Sequence, residues 1–344
     1  MSHRIPLKNI YYLLSYAFGF IQNTSTSKMG QEDFDSTEDL LGTILAEGMA
    51  RLIRRGLDRD YIERVEELRV IRGRIDLGES LRGARIKRGY VTCQYEELEY
   101  NVLQNRLLKA AAGRLLISRS LNGDVRKELV GVYRAFHDID GTGLSLSDFR
   151  KVRIHRNNRH YAFLLGIARM VFEYQVVDDS TGATAFFDFR DDEARMGELF
   201  EAFIYNFYEA KQCRFHVCRP HIQWFDSDEI APGHVYLPRM RTDLVLEESG
   251  YALIMDMKYY KDMLSSWHEK GKLRSSHLYQ ITSYLNNIRR RNPYREHEGM
   301  LLYPVVQREF RQDYRLEGHT VKIRTVNLDQ EWIGIETDLL RLIS

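Results

Sequence analysis

The chain has 344 residues, 44% hydrophobic and 29% charged, a composition typical of globular proteins and long enough for two domains of ordinary size. Its 50 basic and 49 acidic residues give a net charge of +1, which excludes a whole-molecule attraction to nucleic acid and leaves only local patches for DNA contact. The cysteines Cys93, Cys213 and Cys218 form neither a disulfide framework nor a zinc-binding spacing. The apolar stretch Leu13–Ile21 is too short to span a bilayer and has no signal-peptide cleavage pattern, so we expect a cytoplasmic protein with no membrane contact.

The amino-terminal part of the chain carries two helical patterns. After Pro6, apolar residues recur at helical spacing from Ile10 to Ile21, which predicts a core helix. The polar segment Asn23–Asp35 predicts a loop. A second amphipathic helix follows, with its apolar stripe beginning at Leu41 and its end near Gly56.

Between about residues 61 and 95 the pattern changes to that of a small β-rich unit. Short β-branched segments alternate with charge, which predicts strands within Leu68–Ile75 and Tyr90–Gln94. Basic residues concentrate here, although acidic residues dilute the patch, and three interpretations stay open: a phosphate-contacting surface, a solvated sheet face, or a surface for an acidic or nucleotide-binding partner. The basic residues are Arg69, Arg72, Arg74, Arg82, Arg85, Lys87 and Arg88.

A helical connector follows this unit. Helices are predicted over Glu96–Leu121 and Val125–His137. The segment after Asp138 imitates an EF-hand loop, but the twelfth position holds Phe149 instead of the bidentate glutamate, so we interpret it as a turn. The basic segment Arg150–His160 is the predicted boundary between domains. No GxxxxGK[ST] phosphate loop occurs in the chain, so we expect that it binds no nucleotide itself.

The second half of the chain begins with a predicted helix near Tyr161–Tyr174. A clean apolar stripe at helical spacing then runs from Met196 to Tyr208. Glu201 borders that stripe and Glu198 lies opposite it, so Glu201 is the candidate for an additional acid near a catalytic site and Glu198 the reserve. The alternative is an ordinary glutamate at the edge of a buried helix face.

The segment Asp243–Lys258 predicts a β-hairpin with chemistry at one end. Two apolar runs of strand length flank a polar turn that ends at Gly250. Residues two apart in a strand share a face, so Asp256 and Lys258 point the same way. Asp243 enters the neighbouring strand at a point where it could lie across from Asp256, and two carboxylates and an ammonium group would then converge at one end of the hairpin.

Two carboxylates and a lysine suit phosphodiester hydrolysis. Carboxylate oxygens bind Mg²⁺, which keeps several of its waters, and the metal polarises a phosphate and lowers the pKa of a bound water. A neighbouring lysine can orient the nucleophile or offset developing charge. The alternative for these residues is an Asp–Lys pair on a solvated strand face, which contributes little.

A helix predicted over Ser275–Ile288 follows the hairpin. Gln280 and Tyr284 lie four residues apart on its flank, so they are neighbours on the helix surface. Gln280 could orient a water or contact phosphate, and Tyr284 could contact a DNA backbone. Further strands are predicted over Gly299–Val306 and Val321–Val326, and a terminal helix over Gln330–Ile343 with Asp329 as its cap.

These motifs together resemble a known family. Asp243 with Asp256-Met257-Lys258 resembles the PD-(D/E)xK nuclease motif, although Thr242 stands where that motif has proline. The Gln280 and Tyr284 spacing is similar to that of RecB-like nucleases. With the amino-terminal stretch Ile5–Gly19, the chain resembles the McrC family, the nuclease subunits of modified-cytosine-dependent restriction systems.

The resemblance implies an α+β or α/β chain with two domains. Residues 1–160 would be a partner-docking domain of helices and a small β-rich unit, and residues 161–344 a PD-(D/E)xK endonuclease domain with a mixed central sheet flanked by helices. Asp243, Asp256, Lys258 and Gln280 would be catalytic. Asp243 and Asp256 would hold Mg²⁺, which Mn²⁺ can replace, and Glu201 would reach the metal through water.

The resemblance also implies partners and a function. The chain would be the DNA endonuclease subunit of a GTP-dependent complex specific for modified cytosine, such as 5-methylcytosine, in antiviral defence. It would dock on a hexameric McrB-like AAA+ GTPase and stimulate GTP hydrolysis. Two McrC chains could pair when the DNA is cut. Tyr284, Arg289, Arg290 and Arg291 would contact double-stranded DNA, although a solvated helix end explains the arginines equally well. The alternative is a regulatory or adaptor subunit with an inert nuclease-like domain.

Overall fold

The computed structural model describes residues 4–19, 34–81, 88–156, 158–177, 184–224, 239–260, 273–306 and 310–344. Within these residues the helices are α1 (Leu7–Ala17), α2 (Thr37–Arg55), α3 (Leu77–Leu81), α4 (Leu103–Ile117), α5 (Gly123–Ala135), α6 (Tyr161–Tyr174), α7 (Glu193–Lys211), α8 (Ser275–Arg291) and α9 (Trp332–Arg341). The predicted helix residue Ile21, nearly all of the loop Asn23–Asp35, and Arg82, Arg85 and Lys87 lie outside the described residues.

The described strands form one large sheet and three small ones. They are β1 (Asp60–Leu68), β2 (Arg74–Ile75), β3 (Val91–Glu99), β4 (Gln175–Val177), β5 (Thr184–Phe186), β6 (His216–Cys218), β7 (His221–Ile222), β8 (Met240–Arg241), β9 (Leu244–Glu248), β10 (Tyr251–Met257), β11 (Glu296–Val305), β12 (Arg311–Leu316) and β13 (His319–Asn327). Helices and a mixed sheet in one chain confirm the expected α+β class. No helix in the described part of the chain has the length and apolarity needed to cross a membrane.

The chain divides into two compact units whose boundary differs from the predicted one at residue 160. The middle unit is Glu38–Phe187, and the sheet unit combines Met1–Thr37 with Asp188–Ser344. Helix α6 belongs to the middle unit, where the Tyr161 hydroxyl donates to Asn105 Oδ1 at 2.7 Å and accepts from the Asp58 N–H at 2.9 Å.

Helix α1 belongs to the sheet unit, because it packs against α7. The ring centroids of Tyr16 and Phe207 lie 5.6 Å apart, and Asn206 Nδ2 donates to the carbonyl of Tyr16 at 2.8 Å. Near the other end of α1, the buried Asn9 amide donates to the carbonyls of Leu328 and Gln330 at 2.8 and 2.9 Å. The first helix therefore completes the carboxy-terminal half of the chain, although it is far from it in sequence.

The middle unit contains a three-stranded antiparallel sheet of order β1-β3-β2. β1 pairs with β3 along its whole length, from Asp60 opposite Glu99 to Leu68 opposite Val91. The residues after Glu96 that the sequence suggested as helix are therefore strand as far as Glu99, and helix α4 begins at Leu103. The turn predicted after Asp138 is confirmed. Within it, the Asp140 carboxylate accepts hydrogen bonds from the N–H and the hydroxyl of Thr142.

The sheet unit is built on a six-stranded sheet of order β12-β13-β11-β10-β9-β6. The central strands β10, β11 and β13 are parallel, and β12, β9 and β6 add antiparallel edges. Helix α8 packs on β10, β11 and β13, where Ile281 and Leu285 meet Ile254, Leu301 and Ile323 in a buried cluster. Side chains of β10 alternate, so Asp256 shares this α8 face with Ile254 while Met255 and Met257 point to the opposite face.

Two details of the sheet unit correct the sequence analysis. The exposed strand β12 was missed, because its residues Arg311 to Leu316 are mostly polar and carry no apolar alternation. Asp329 does not cap the terminal helix, which begins at Trp332 with Glu331 at the cap position and no side-chain cap bond. Instead the Asp329 N–H donates to Asn327 Oδ1 at 2.9 Å.

We predict that Gly48→Ala lowers the free energy of unfolding of the middle unit. An added Cβ at Gly48 on α2 would lie 2.1 Å from Leu164 Cδ2 on α6. Overpacking of this kind costs ~1–3 kcal/mol, more than the ~1 kcal/mol that alanine contributes as a helix former. Urea unfolding of the full chain measures the change.

Gly131→Ala on α5 is the matched control. Its added Cβ meets no atom within 4 Å, so we expect a stabilisation of ~0.5–1 kcal/mol from helix propensity alone. Equal effects of the two substitutions would contradict the close approach of α2 and α6.

Candidate active site

The hairpin of β9 and β10 places the two predicted acids side by side. Its two-residue turn ends at Gly250, whose φ of +77° is one that L side chains rarely adopt. Met255 pairs with Leu244, so the same register places Asp243 opposite Asp256. Asp243 Oδ2 accepts a hydrogen bond from the Met257 N–H at 2.8 Å, which fixes the first acid to the strand that carries the second.

The position of the motif's proline holds Thr242, which is fully buried. Its hydroxyl donates to the carbonyl of Pro220 at 3.1 Å, and its N–H points to the same carbonyl at 3.5 Å. The threonine thus ties the segment before Asp243 to the segment between β6 and β7.

Lys258 connects the acids to helix α8 through a line of polar contacts. Its Nζ lies 2.8 Å from Asp256 Oδ2 and donates to Gln280 Oε1 at 2.9 Å. Gln280 Nε2 donates to the Tyr284 hydroxyl at 2.8 Å, and that hydroxyl donates to the carbonyl of Arg241 at 2.9 Å. The predicted residues Asp256, Lys258, Gln280 and Tyr284 therefore form one connected arrangement.

Asp256 is buried in a way that leaves its oxygens available as ligands. The residue is 0% exposed, and neither carboxylate oxygen receives a hydrogen bond of regular geometry from the described residues. The Lys258 ammonium group, 2.8 Å from Asp256 Oδ2, is the cation that compensates part of this buried charge. Burying a carboxylate with a single neighbouring ammonium group is still costly, and a bound cation would offset more of that cost.

Burial and their mutual repulsion oppose ionisation of the two acids, and the positive charges around them favour it. Burial raises the pKa of Asp256, the neighbouring Asp243 raises it further, and Lys258 opposes both. Burial also raises the pKa of Asp243, against the Met257 N–H, Lys258, Arg219 and Arg241. The pKa of Lys258 is lowered by burial but raised by more than that by Asp256 and Asp243, so its ammonium group stays protonated at neutral pH.

Glu201 reaches this site from helix α7, and Glu198 does not. The Glu201 carboxylate lies 3.0 Å from Arg219 Nη1, and burial followed by the Asp243 charge raises its pKa. Glu198 is mostly exposed and pairs with Arg195 at 3.2 Å. In the described residues no three His, Cys, Asp or Glu side chains form a ready metal ligand set, so Glu201 stands beside the pair rather than in it.

The residues predicted to contact DNA differ in exposure: Tyr284 is buried, and the three arginines are exposed. Tyr284 is only 5% exposed and its hydroxyl is engaged on both sides, so its position contradicts a direct contact with a DNA backbone. Arg289, Arg290 and Arg291 are exposed at the end of α8, about 15 Å along the helix from Gln280 at 1.5 Å per residue.

Sequence reasoning missed a second line of contacts behind Lys258. His277 Nε2 lies 2.9 Å from the Tyr260 hydroxyl, and His277 Nδ1 lies 2.9 Å from the Tyr303 hydroxyl. Burial, with the charges of Lys258 and Arg274, lowers the pKa of His277 to about 4, so the ring is neutral at physiological pH. The histidine thus joins β11 and the segment after β10 to the first turn of α8.

Arg219 and Arg241 were also missed, although the sequence held a signal for one of them. Arg241 lies two residues before Asp243, the spacing of one strand face. Arg219 is 24 residues away from Asp243 in the chain, and only the pairing of β6 with β9 brings it close.

Comparison with known proteins gives consistent matches over nearly the whole chain. Residues 6–304 match the family model described as McrBC 5-methylcytosine restriction system component. The chain is 31% identical over 337 residues to the type IV methyl-directed restriction enzyme EcoKMcrBC of Escherichia coli K12, covering 98% of this chain and 96% of that protein.

Solved structures give a fold match. The half-complex of Thermococcus gammatolerans McrB AAA+ hexamers with bound McrC aligns with a TM-score of 0.58 at 17% identity, over 98% of this chain and 75% of the matched chain. A cryo-EM structure of the Thermococcus gammatolerans McrBC complex aligns over 59% of this chain and 57% of the matched chain, with 20% identity and a TM-score of 0.41, too low to support an argument.

We predict that Tyr284→Phe destabilises the sheet unit. The change removes the donor to the Arg241 carbonyl and the acceptor for Gln280, and unmet buried hydrogen bonds cost ~1–3 kcal/mol. Tyr279→Phe on the same helix is the control, because Tyr279 is 72% exposed and its hydroxyl is left in water; we expect a change within ~0.5 kcal/mol. Urea unfolding compares the two, and a Tyr284→Phe protein as stable as Tyr279→Phe would contradict the contact line.

Proposed function

The chain belongs to the family of McrBC 5-methylcytosine restriction system components, and on that premise we propose that it is the Mg²⁺-dependent DNA endonuclease subunit of a restriction complex. The complex would cut DNA that contains modified cytosine, use GTP hydrolysis by an AAA+ partner, and act in the cytoplasm. The observation that carries the proposal is the convergence of Asp243, Asp256 and Lys258 at one end of a hairpin. A mixed sheet with α7 and α8 around this hairpin suits a PD-(D/E)xK nuclease domain.

The acids fit a hard divalent cation. Asp256 has two buried oxygens without regular hydrogen bonds, and Asp243 uses Oδ2 for the Met257 N–H. Mg²⁺ is commonly held by one or two carboxylates and keeps several waters, so a pair of acids is a sufficient protein contribution, and Mn²⁺ can replace it. When bound, the metal would polarise the scissile phosphate and lower the pKa of an attacking water.

The other residues of the site would stabilise the reacting groups or fix the position of Lys258. Lys258 stays protonated between Asp256 and Gln280, from where it can donate to a phosphoryl oxygen or to the nucleophile as charge develops. Gln280 is fixed by Tyr284, which directs its amide oxygen toward Lys258. Tyr284 is thus a support for Gln280, and we propose that the DNA path runs along the exposed Arg289–Arg291 end of α8 instead.

The middle unit is the proposed docking element for the partner. The solved relative is McrC bound to McrB AAA+ hexamers, and we propose the same class of partner for this chain, with stimulation of its GTPase. Support comes from the number of large apolar side chains that the β-rich part exposes, among them the cross-strand pair Tyr61 and Leu98, since exposed apolar surface often marks an interaction site. These are Tyr61, Val65, Val70, Ile71, Leu77, Leu81, Leu98 and Tyr100.

The competing function is a regulatory or adaptor subunit with an inert nuclease-like domain. Opposed to it is the intact set of two acids, lysine and glutamine in mutual contact. Cleavage of modified and unmodified duplexes, with chain, partner, GTP and Mg²⁺ each left out in turn, separates the two functions. We expect cleavage only in the complete mixture, and GTPase stimulation without cleavage would favour the adaptor.

We predict that Asp256→Asn and Lys258→Ala each lower the cleavage rate at least ~100-fold, the scale seen when one group that stabilises developing charge is lost. GTPase stimulation should stay near the wild-type level, because the substitutions lie in the sheet unit. Glu198→Gln is the control and should cut normally, since Glu198 is exposed and outside the site. Either site variant cutting at the wild-type rate with Mg²⁺ and partner would refute the assigned site.

We predict that the double substitution Tyr61→Ser with Leu98→Ser abolishes most of the GTPase stimulation. The two residues are cross-strand partners in β1 and β3, and both are exposed, so the fold should tolerate the change. Ile333→Ser, at an apolar residue of α9 that is 72% exposed, is the matched control. Circular dichroism monitors folding, and undiminished stimulation by the double variant would place the docking surface elsewhere.

A further inference from the structure

We propose that Arg219 is a positioning residue that holds Glu201 beside the Asp243–Asp256 pair. This inference rests on the proposed function, because it assigns a role within the same catalytic centre. Arg219 itself lies one residue beyond strand β6.

The guanidinium group of Arg219 contacts one turn of helix α7 at three points, and these contacts together form a clamp on that turn. Arg219 Nη1 lies 3.0 Å from Glu201 Oε1, and Nη2 donates to the backbone carbonyl of Glu201 at 3.3 Å. Its Cζ lies 4.2 Å from the centre of the Tyr205 ring. Glu201 and Tyr205 are four residues apart and neighbours on the helix, so one arginine spans both. The carboxylate therefore has little freedom to rotate away.

The sheet brings this clamp to the acids. Cys218 at the end of β6 pairs with Val245 of β9, so Arg219 continues that register to the level of Leu244, next to Asp243. Glu201 comes from helix α7, whereas Arg219 comes from the segment after β6. The arginine thus connects the edge strand, the helix and the first acid.

The charges support the same arrangement. Burial and the Asp243 charge raise the pKa of Glu201, while Arg219 and Arg241 lower it. Arg219 also lowers the pKa of Asp243. Without the arginine, the carboxylate of Glu201 would be driven away from Asp243 by like charge.

The clamp gives Glu201 a way to contribute to a metal site at Asp243 and Asp256 without coordinating the metal ion directly. Held by Arg219 and close enough to Asp243 for the two charges to interact, it would act on a cation through an ordered water. Arg219 touches no reacting group in this arrangement, so its effect on cleavage should pass through Glu201. The competing role is direct contact with DNA through the part of the Arg219 side chain that is exposed, 23% of it.

A double-mutant cycle tests the proposal. Arg219→Gln, Glu201→Gln and the double variant are compared in two measurements: kcat and KM of cleavage by the reconstituted complex, and Mn²⁺ affinity of the full isolated chain by calorimetry. Outer-layer residues of metal sites typically contribute ~10–100-fold, so we expect each single variant to lose that much in kcat and the double variant no more. Arg219→Lys should not rescue, because lysine lacks the planar fork.

The Mn²⁺ affinity distinguishes the positioning role of Arg219 from the effect of its positive charge. Removing a positive charge beside a cation site should by itself tighten Mn²⁺ binding, whereas loss of the clamp should weaken it as Glu201→Gln does. Arg195→Gln is the matched control, because it breaks the exposed Arg195–Glu198 pair of the same helix and should change neither quantity.

Each other outcome decides against the proposal. Multiplicative losses, a raised KM for DNA with unchanged kcat, tighter Mn²⁺ binding by Arg219→Gln, or no Mn²⁺ binding by the wild-type chain would overturn it. A wild-type complex that binds Mn²⁺ but does not cut DNA would refute the proposed function instead, and the metal cycle would still decide whether Arg219 and Glu201 act together.

Discussion

The site depends on one backbone hydrogen bond, from the Met257 N–H to the Asp243 carboxylate. The Lys258 N–H donates toward β11, to the carbonyl of Leu302, so the preceding N–H of Met257 faces β9. β9 begins only at Leu244, and the Asp243 side chain takes the place of a strand carbonyl. The first acid is therefore held by the sheet itself, at a fixed distance from the strand of Asp256 and Lys258.

This constraint has a cost that the surrounding charges reduce. The buried Asp256 and the half-buried Asp243 lie opposite each other, and desolvation raises the pKa of both carboxylates. Lys258, Arg219 and Arg241 supply compensating positive charge, but Asp256 still lacks a regular hydrogen bond from the described residues. Natural proteins accept such local conflicts mainly at functional sites, and here the conflict is one that a bound cation would relieve.

Helix α8 gives the site its rigidity. Its inner residues Ile281 and Leu285 pack against the sheet, and this packing fixes Gln280 and Tyr284 relative to Lys258. At its first turn, His277 contacts Tyr260 and Tyr303, so the helix is tied to the segment that follows Lys258 and to β11. Rigid elements carry the functional side chains, which is the arrangement that precise positioning requires.

The sequence by itself determined the hairpin, the shared face of Asp256 and Lys258, and the apolar faces of α7 and α8, because strand and helix periodicities are local properties. Tertiary structure alone decided the rest. The pairing of β6 with β9 brings Arg219 to Glu201, and the packing of α1 on α7 joins the two ends of the chain in one unit. Tyr284, an apparent surface residue by spacing, became a buried support. Such contacts link residues far apart in the chain, and no local pattern records which distant segments will meet.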